Sequence, residues 1–147
     1  MKRALELGGS HQGTYEDGVI DIVYVGDVLG PHASNLLRCS VQYPTGTHSV
    51  WCADISQLGS FTAEARKIMS VPTADMPKSA EQTHTHLFVS GASIKTKAVL
   101  TLVMAATQLL GNIRYHTEYF ATHEQALERA HKKMQELLAA GLAKLPV

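Results

Sequence analysis

Histidine stands out in this chain for the chemistry it can perform. Eight of the 147 residues are histidine, and imidazole both ligates transition metals and changes charge near neutral pH. His84 and His86 lie two apart in a predicted strand, so their side chains point to the same face. A zinc site needs a third or fourth ligand, for which His48, His116 and Asp54 are candidates on other elements. Because no ligand motif of recognised spacing accompanies the pair, two ordinary strand positions are favoured over a metal site.

A turn that carries two lysines is a candidate anion-binding site. Gly91 follows a predicted strand and Ser93 opens a predicted helix, so free backbone N–H groups converge there. Lys95 and Lys97 add positive charge next to them. The turn lacks the second glycine and the Gly-Lys-Ser/Thr ending of a phosphate-binding P-loop. Two interpretations stay open: an ordinary turn capped by Ser93, and weak binding of a phosphate or phospholipid headgroup.

Nucleophilic catalysis has little support in the sequence. Cys52 lies in a predicted strand, where a thiol is usually inert core filling, and no Gly-x-Ser-x-Gly elbow is present. Cys39 and Cys52 both lie in apolar segments, which predicts a reduced, buried pair rather than a disulfide framework. Asp27 and Asp54 end predicted strands, where a carboxylate commonly satisfies a turn or a helix N-terminus. We therefore expect no catalytic residues and no cofactor.

Composition places the chain among ordinary globular domains. Hydrophobic residues make up 45% and charged residues 18% of a length that suits one domain. Thirteen basic residues balance thirteen acidic ones, so the basic surface needed for nucleic acid or anionic membranes is not predicted. The N-terminus has no signal-like apolar run, and the apolar stretch 98–110 is shorter than the roughly 20 residues of a spanning helix. We expect a cytoplasmic protein without an integral membrane segment.

Predicted strands and helices alternate along the chain. After an initial extended piece, strands are predicted at 19–25, 49–55, 83–90 and 113–120. Helices are predicted at 31–42, 62–69, 93–110 and 123–140. Ser60 or Thr62 can cap the second helix, and Thr122 with Gln125 forms a capping box before the last. The β-β-α-β-α-β-α-β-α order predicts a single α/β domain with a mixed, mostly parallel sheet and an antiparallel first hairpin.

Domain boundaries are predicted near both ends of the chain. Residues 1–10 are predicted to be a flexible lead-in, 11–140 the domain and 141–147 a C-terminal tail. The stretch 70–82 contains two prolines and no periodicity, which predicts a long loop or a frayed helix end.

The helix predicted at 93–110 is apolar nearly all round, so it must be covered on more than one side. Neighbouring helices are the commonest cover. The alternatives are a homodimer surface, a partner site or the wall of a pocket for an apolar ligand. In the last case Lys95 and Lys97 would lie near a lipid headgroup.

Three segments follow a pattern shared with a known family. Val19–Val28 matches a strand and glycine before a first helix, and Trp51–Leu58 matches a central strand ending in an acidic residue, an aliphatic residue and serine. Tyr119–Leu127 matches the phenylalanine, capping residue and alanine that close the domain. In this order they resemble the STAS-like family of bacterial anti-anti-sigma factors, over about residues 11–137. The resemblance implies helices mainly on one side of a mixed sheet, and function by binding a protein or, in some branches, a lipid or nucleotide.

The resemblance also implies a regulatory surface. In the anti-anti-sigma branch a serine at the start of the second helix is phosphorylated, just after an aspartate. That aspartate falls on Gly59 and the phospho-acceptor on Phe61, which cannot be phosphorylated. Ser60 and Thr62 flank it and remain candidates for phosphorylation. The predicted function is a non-enzymatic regulatory or scaffold module that recognises a partner protein. The predicted partner-binding residues are Asp54, Ser56, Ser60, Phe61 and Thr62.

Overall fold

The computed structural model describes residues 2–74, 82–110 and 113–146. The strands are β1 (Arg3–Leu5), β2 (Gln12–Glu16), β3 (Val19–Val28), β4 (His48–Phe61), β5 (Thr83–Ser90) and β6 (Ile113–Phe120). The helices are α1 (Gly30–Gln42), α2 (Ala63–Ala74), α3 (Ile94–Leu110) and α4 (His123–Ala139).

The six strands form one mixed sheet in chain order, β1-β2-β3-β4-β5-β6. β1, β2 and β3 pair antiparallel, whereas β3 to β6 are parallel. Asp17 and Gly18 join β2 to β3 with φ angles of 49° and 89°, the left-handed pair that a tight two-residue hairpin turn requires. The α/β domain with a mostly parallel sheet is therefore confirmed.

Three helices cover one face of the sheet and the fourth covers the other. The connections from β3 to β4, β4 to β5 and β5 to β6 all move to the next strand in the same direction across the sheet. Because such crossovers are right-handed, α1, α2 and α3 lie on the same side. There Ala33 and Leu36 of α1 and Ala65 of α2 pack on Ile22 and Ile55 of the sheet. On the opposite face the apolar stripe of α4 covers a second core. That core contains Val19, Val50, Cys52, Phe88, Ala126, Ala130, Met134 and Leu137.

Hydroxyl caps fix the starts of three helices. The side chains of Thr62, Ser93 and Thr122 each accept the backbone N–H three residues later, at 3.2, 3.1 and 3.2 Å. Such a cap satisfies one of the backbone donors that every helix N-terminus leaves unpaired. The sequence predicted all three, and Thr62 rather than Ser60 caps α2.

The structure differs from the sequence expectations at both ends of the domain. The predicted lead-in contains β1, and Leu5 and Leu7 are 9% and 2% exposed. Their alternation with Glu6 is too short to identify a strand without its hairpin partner. In the predicted tail, the N–H of Lys144 donates to the carbonyl of Thr45 at 3.1 Å.

α2 continues to Ala74 rather than ending at Met69, which covers part of the predicted loop 70–82. Residues 75–81 of that loop lie outside the described residues. Among the helices described, none combines the length and apolar character that crossing a membrane would take.

Candidate functional site

The predicted partner-binding residues lie where β4 extends beyond the end of its neighbour β5. Ser90, the last residue of β5, pairs with Asp54, whereas β4 continues to Phe61 beside β3. On the β5 side the described residues provide no strand partner for Gln57–Phe61, which we call the free β4 edge. Gln57, Gly59 and Ser60 are exposed to solvent. The sequence pattern predicted the strand only to Ile55, so these residues were expected between that strand and α2.

A buried histidine shapes the strand that supports this edge. The N–H of Val25 donates to Nδ1 of His11 at 3.0 Å, so the proton lies on Nε2, which donates to the carbonyl of Asp27 at 3.0 Å. Both contacts lie where the register of β3 against β4 shifts. Such bulges bend a strand and redirect its side chains. His11 thereby fixes the position of Asp27, and no sequence motif singled it out.

The carboxylate of Asp27 is hydrogen-bonded to Ser60 within the free β4 edge. Its Oδ1 accepts the N–H of Ser60 at 2.8 Å and the hydroxyl of Ser60 at 3.3 Å. A Cβ atom at Gly59 would collide with the same oxygen. The aspartate that the family pattern puts at Gly59 would therefore not fit, and Asp27 supplies a carboxylate beside Ser60 instead.

The start of the free β4 edge is joined to the turn before α3. Oδ1 of Asp54 accepts the N–H of Ser56 at 3.0 Å, which closes a local side-chain turn. Gly91 has a φ of +75°, and a Cβ there would lie 2.6–2.8 Å from three atoms of Ser56. This close approach places the beginning of α3 next to the predicted partner surface.

Phe61 and Thr62 have structural roles at the end of β4. The Phe61 ring meets the Tyr24 ring edge to face, with centroids 5.9 Å apart, and is partly buried. The N–H of Thr62 donates to the carbonyl of Val28 at 3.1 Å while its hydroxyl caps α2. Of the two predicted phosphorylation candidates, Ser60 is therefore the exposed one.

The predicted anion-binding residues are only partly brought together. Ser93 uses its hydroxyl to cap α3, as described above. The ammonium group of Lys97 lies 4.9 Å from the centroid of the Tyr119 ring, a cation–π contact on the neighbouring strand β6. Lys95 is exposed. The anion site stays a prediction.

The outer face of α3 carries apolar side chains that the described residues leave open. Ile94, Val99 and Leu102 are 89%, 52% and 72% exposed. The expectation that neighbouring helices cover α3 is wrong for this face. A cavity of about 330 Å³ among the described residues is lined by Tyr15, Tyr43 and Leu145 and lies away from α3.

Four histidines form a stacked array on the α4 face of the sheet. This histidine quartet consists of His48, His84, His86 and His116, from β4, β5 and β6. His48 and His84 are register partners with parallel rings 4.4 Å apart, and His86 and His116 are register partners 4.7 Å apart. The nitrogens pair off: His48 Nδ1 lies 3.0 Å from His86 Nε2, and His84 Nδ1 lies 2.9 Å from His116 Nε2.

The electrostatics of the histidine quartet disfavour positive charge. Burial first, and then the neighbouring His116, Lys133, His48 and His84, together lower the pKa of His86 to about 4. The pKa of His116 is also lowered, first by desolvation and then by adjacent basic groups. The sequence named His48 and His116 as companions of His84 and His86, and the structure brings all four together. Cations beside the rings, together with the pairing of their nitrogens, make this a poor arrangement for a single metal ion.

A different set of side chains converges as metal ligands do. Within the described residues, Asp21, Cys52 and His123 form the set of three whose donor atoms all lie within 4.8 Å of one another. Cys39 and Cys52 are both free and buried, as predicted, on opposite faces of the sheet. No sequence pattern links Asp21 with His123, because the two residues are 102 positions apart.

Comparisons with known proteins do not assign a family. No family model, no curated protein and no solved structure matches the chain. The STAS-like resemblance therefore rests on the three sequence segments alone and stays a prediction.

Proposed function

We propose that this chain is a non-enzymatic regulatory module that recognises a partner protein at the free β4 edge. One observation carries the proposal: on the β5 side of Gln57–Phe61 the described residues supply no strand partner, and exposed residues lie along this edge. Proteins usually cover or blunt such edges, because the unpaired backbone groups readily pair with another chain. An extended segment of the partner, added as a further strand, satisfies those groups.

The side chains around the edge indicate what the partner segment presents. Gly59 and Ser60 are small and exposed, which lets another backbone approach closely. Ile94 at the start of α3 is 89% exposed, and the contact between Gly91 and Ser56 keeps that helix end beside the edge. We therefore expect an extended segment with at least one apolar side chain that packs on α3.

Ser60 gives the proposed interface a means of regulation. Its hydroxyl is exposed but hydrogen-bonded to the Asp27 carboxylate. A phosphoryl group there would bring close to two negative charges against that carboxylate and break the bond. Phosphorylation at Ser60 is therefore expected to separate Ser60 from Asp27, distort the free β4 edge and weaken partner binding.

Ser60→Glu is expected to lower partner capture at least tenfold, a loss of about 1.4 kcal/mol, because the new carboxylate faces Asp27 and disrupts the edge. The measurement is the yield of crosslinks from a photo-reactive residue at position 57 to proteins of a native extract, read by mass spectrometry. Thr62→Glu would also reduce capture, but it removes a helix cap worth about 1 kcal/mol, so Ser60→Glu is the cleaner test.

Ser40→Glu is the matched control, because it makes the same change at an exposed position on α1. It should leave the crosslink yield unchanged. Equal yields from Ser60→Glu and Ser40→Glu, or the same products from a photo-reactive residue at position 40, would exclude the free β4 edge as the recognition surface.

The alternative function, a carrier or sensor of an apolar ligand, needs a cavity beside α3. The cavity of about 330 Å³ described above lies away from that helix, whereas the free β4 edge offers a strand for pairing, so we favour partner recognition. Native mass spectrometry of gently purified protein separates the two, since a reproducible adduct of lipid mass would favour the carrier. The same spectrum reports a homodimer, which the exposed face of α3 would suit.

A further inference from the structure

Four polar side chains from four elements meet beneath the first turn of α4. These residues, which we call the α4 cluster, are Asp21 of β3, Cys52 of β4, Ser90 of β5 and His123 of α4. Nε2 of His123 lies 3.0 and 3.1 Å from the two carboxylate oxygens of Asp21. Nδ1 of the same ring lies 3.4 Å from Ser90 Oγ and 4.0 Å from Cys52 Sγ.

The fold brings these residues together although they are far apart in sequence. Asp21 and Cys52 are direct partners across the parallel pair β3–β4, so their side chains share a face. Thr122 caps α4 through its side chain and so fixes His123, the first residue of the helix, above that face. His123 therefore reaches Asp21 and Cys52 only because α4 packs on the side of the sheet opposite the other helices.

The α4 cluster leaves polar groups poorly satisfied inside the protein. Cys52 is 0% and Ser90 1% exposed. Oδ1 of Asp21 is buried and has no hydrogen bond of good geometry, and its contact with Nε2 becomes an ion pair only if the imidazole is protonated. A buried carboxylate oxygen without a well-aligned donor is costly, and a positive charge beside it would compensate that cost.

The arrangement does not suit a catalytic thiol. A cysteine, a histidine and an aspartate in a row resemble a nucleophile with its base and orienting acid. However, burial raises the pKa of Cys52, and the carboxylates of Asp21 and Asp54 raise it further. Such an environment keeps the protonated thiol, whereas a nucleophile needs the thiolate.

We infer that Asp21, Cys52 and His123 form a binding site for a zinc-like divalent transition metal ion. Thiolate, imidazole and carboxylate are the donor types that zinc takes, and a bound zinc ion favours the thiolate form of a cysteine ligand. Tetrahedral zinc bonds imply donor separations of about 3.3–3.6 Å, whereas the three donor atoms lie within 4.8 Å of one another, so the ligands would have to approach by up to about 1 Å to close on the ion.

Access and charge both favour this site over the histidine quartet. The side chains of His123 and Asp21 are 27% and 15% exposed, which leaves room for a fourth, solvent ligand. The charged groups that shift the pKa of Cys52 are both carboxylates, which attract a cation. Lys133, by contrast, lies beside His86 and His116 and repels one. Ser90 lies within hydrogen-bond distance of His123 and would orient its ring, as outer partners of metal ligands usually do.

Cobalt(II) tests the inference, because thiolate ligation of cobalt gives an intense charge-transfer absorption. Full-length protein without a histidine tag is stripped with a chelator and titrated with the metal. Cys39→Ser, which removes the other buried thiol, should bind one equivalent, show the absorption and lose it on adding zinc. An absence of that band in Cys39→Ser overturns the site whether or not any Cys52 variant folds.

Variants of the ligands then locate the ion. Cys52→Ser and Asp21→Asn should weaken metal binding by more than the roughly 10–100-fold that changes outside the ligand shell cost. The double variant His84→Gln/His86→Gln should bind like wild type. Circular dichroism verifies that each variant is folded. Binding that survives Cys52→Ser but is lost in the double variant would overturn the inference and assign the metal to the histidine quartet.

Discussion

Gly91→Ala is expected to lower the free energy of unfolding by about 2–5 kcal/mol, from two separate causes. Gly91 has a φ of +75°, and an alanine in the left-handed region costs about 1–2 kcal/mol. Its Cβ would also lie 2.7 and 2.8 Å from backbone atoms of Ser56, which cannot rotate away as a flexible side chain would. Forcing such an overlap adds about 1–3 kcal/mol.

Gly46→Ala separates the two causes. Gly46 has a φ of +90°, but a Cβ there would meet nothing within 4 Å. This variant should therefore lose only the backbone part, about 1–2 kcal/mol. Urea unfolding of both variants at equal pH measures the difference, and equal losses would mean that β5 and β4 do not approach each other closely at Gly91.

The same contact matters for the proposed interface. If Gly91→Ala pushes the turn away from Ser56, the beginning of α3 moves away from the free β4 edge. We expect partner crosslinking to fall in Gly91→Ala even at temperatures where the variant is fully folded, and to persist in Gly46→Ala.

The regular elements of this fold were predictable because their signals are local. The β-branched run of β3, the glycine after β5 and the capping hydroxyls before α2, α3 and α4 each act within a few residues. The hairpin turn at Asp17–Gly18 is equally local, and the sequence placed a turn there. β1 and the extension of β4 to Phe61 were missed, because each is stabilised by pairing with another strand rather than by its own pattern.

The candidate sites were less predictable, because they depend on how strands that are far apart in sequence align in the sheet. His84 and His86 could be assigned to one face from their spacing, but the parallel register of β4 and β6 decides that His48 and His116 stack on them. The link from His11 through Asp27 to Ser60 joins three strands through side-chain-to-backbone bonds that have no motif. The α4 cluster also requires the side on which α4 packs, which no local pattern specifies.

Acid is expected to destabilise the protein through the histidine quartet. Burial and the neighbouring basic groups together lower the pKa of His86 from its ordinary 6.5 to about 4, so the folded state resists a proton that the unfolded chain accepts. The stabilising contribution is therefore complete above pH 6.5 and is lost as the pH falls toward 4. A shift of this size at one site corresponds to about 3 kcal/mol, a large part of a typical domain stability.

His86→Gln isolates this effect, because glutamine is polar and does not titrate. Urea unfolding at a series of pH values should show a steep loss of stability for wild type and a shallower one for His86→Gln. The remaining slope reflects His116, whose pKa is lowered in the same direction. His131→Gln changes a histidine of α4 outside the quartet and should keep the wild-type slope. Identical slopes for wild type and His86→Gln would show that the stacked rings accept protons as readily in the folded protein as in the unfolded chain.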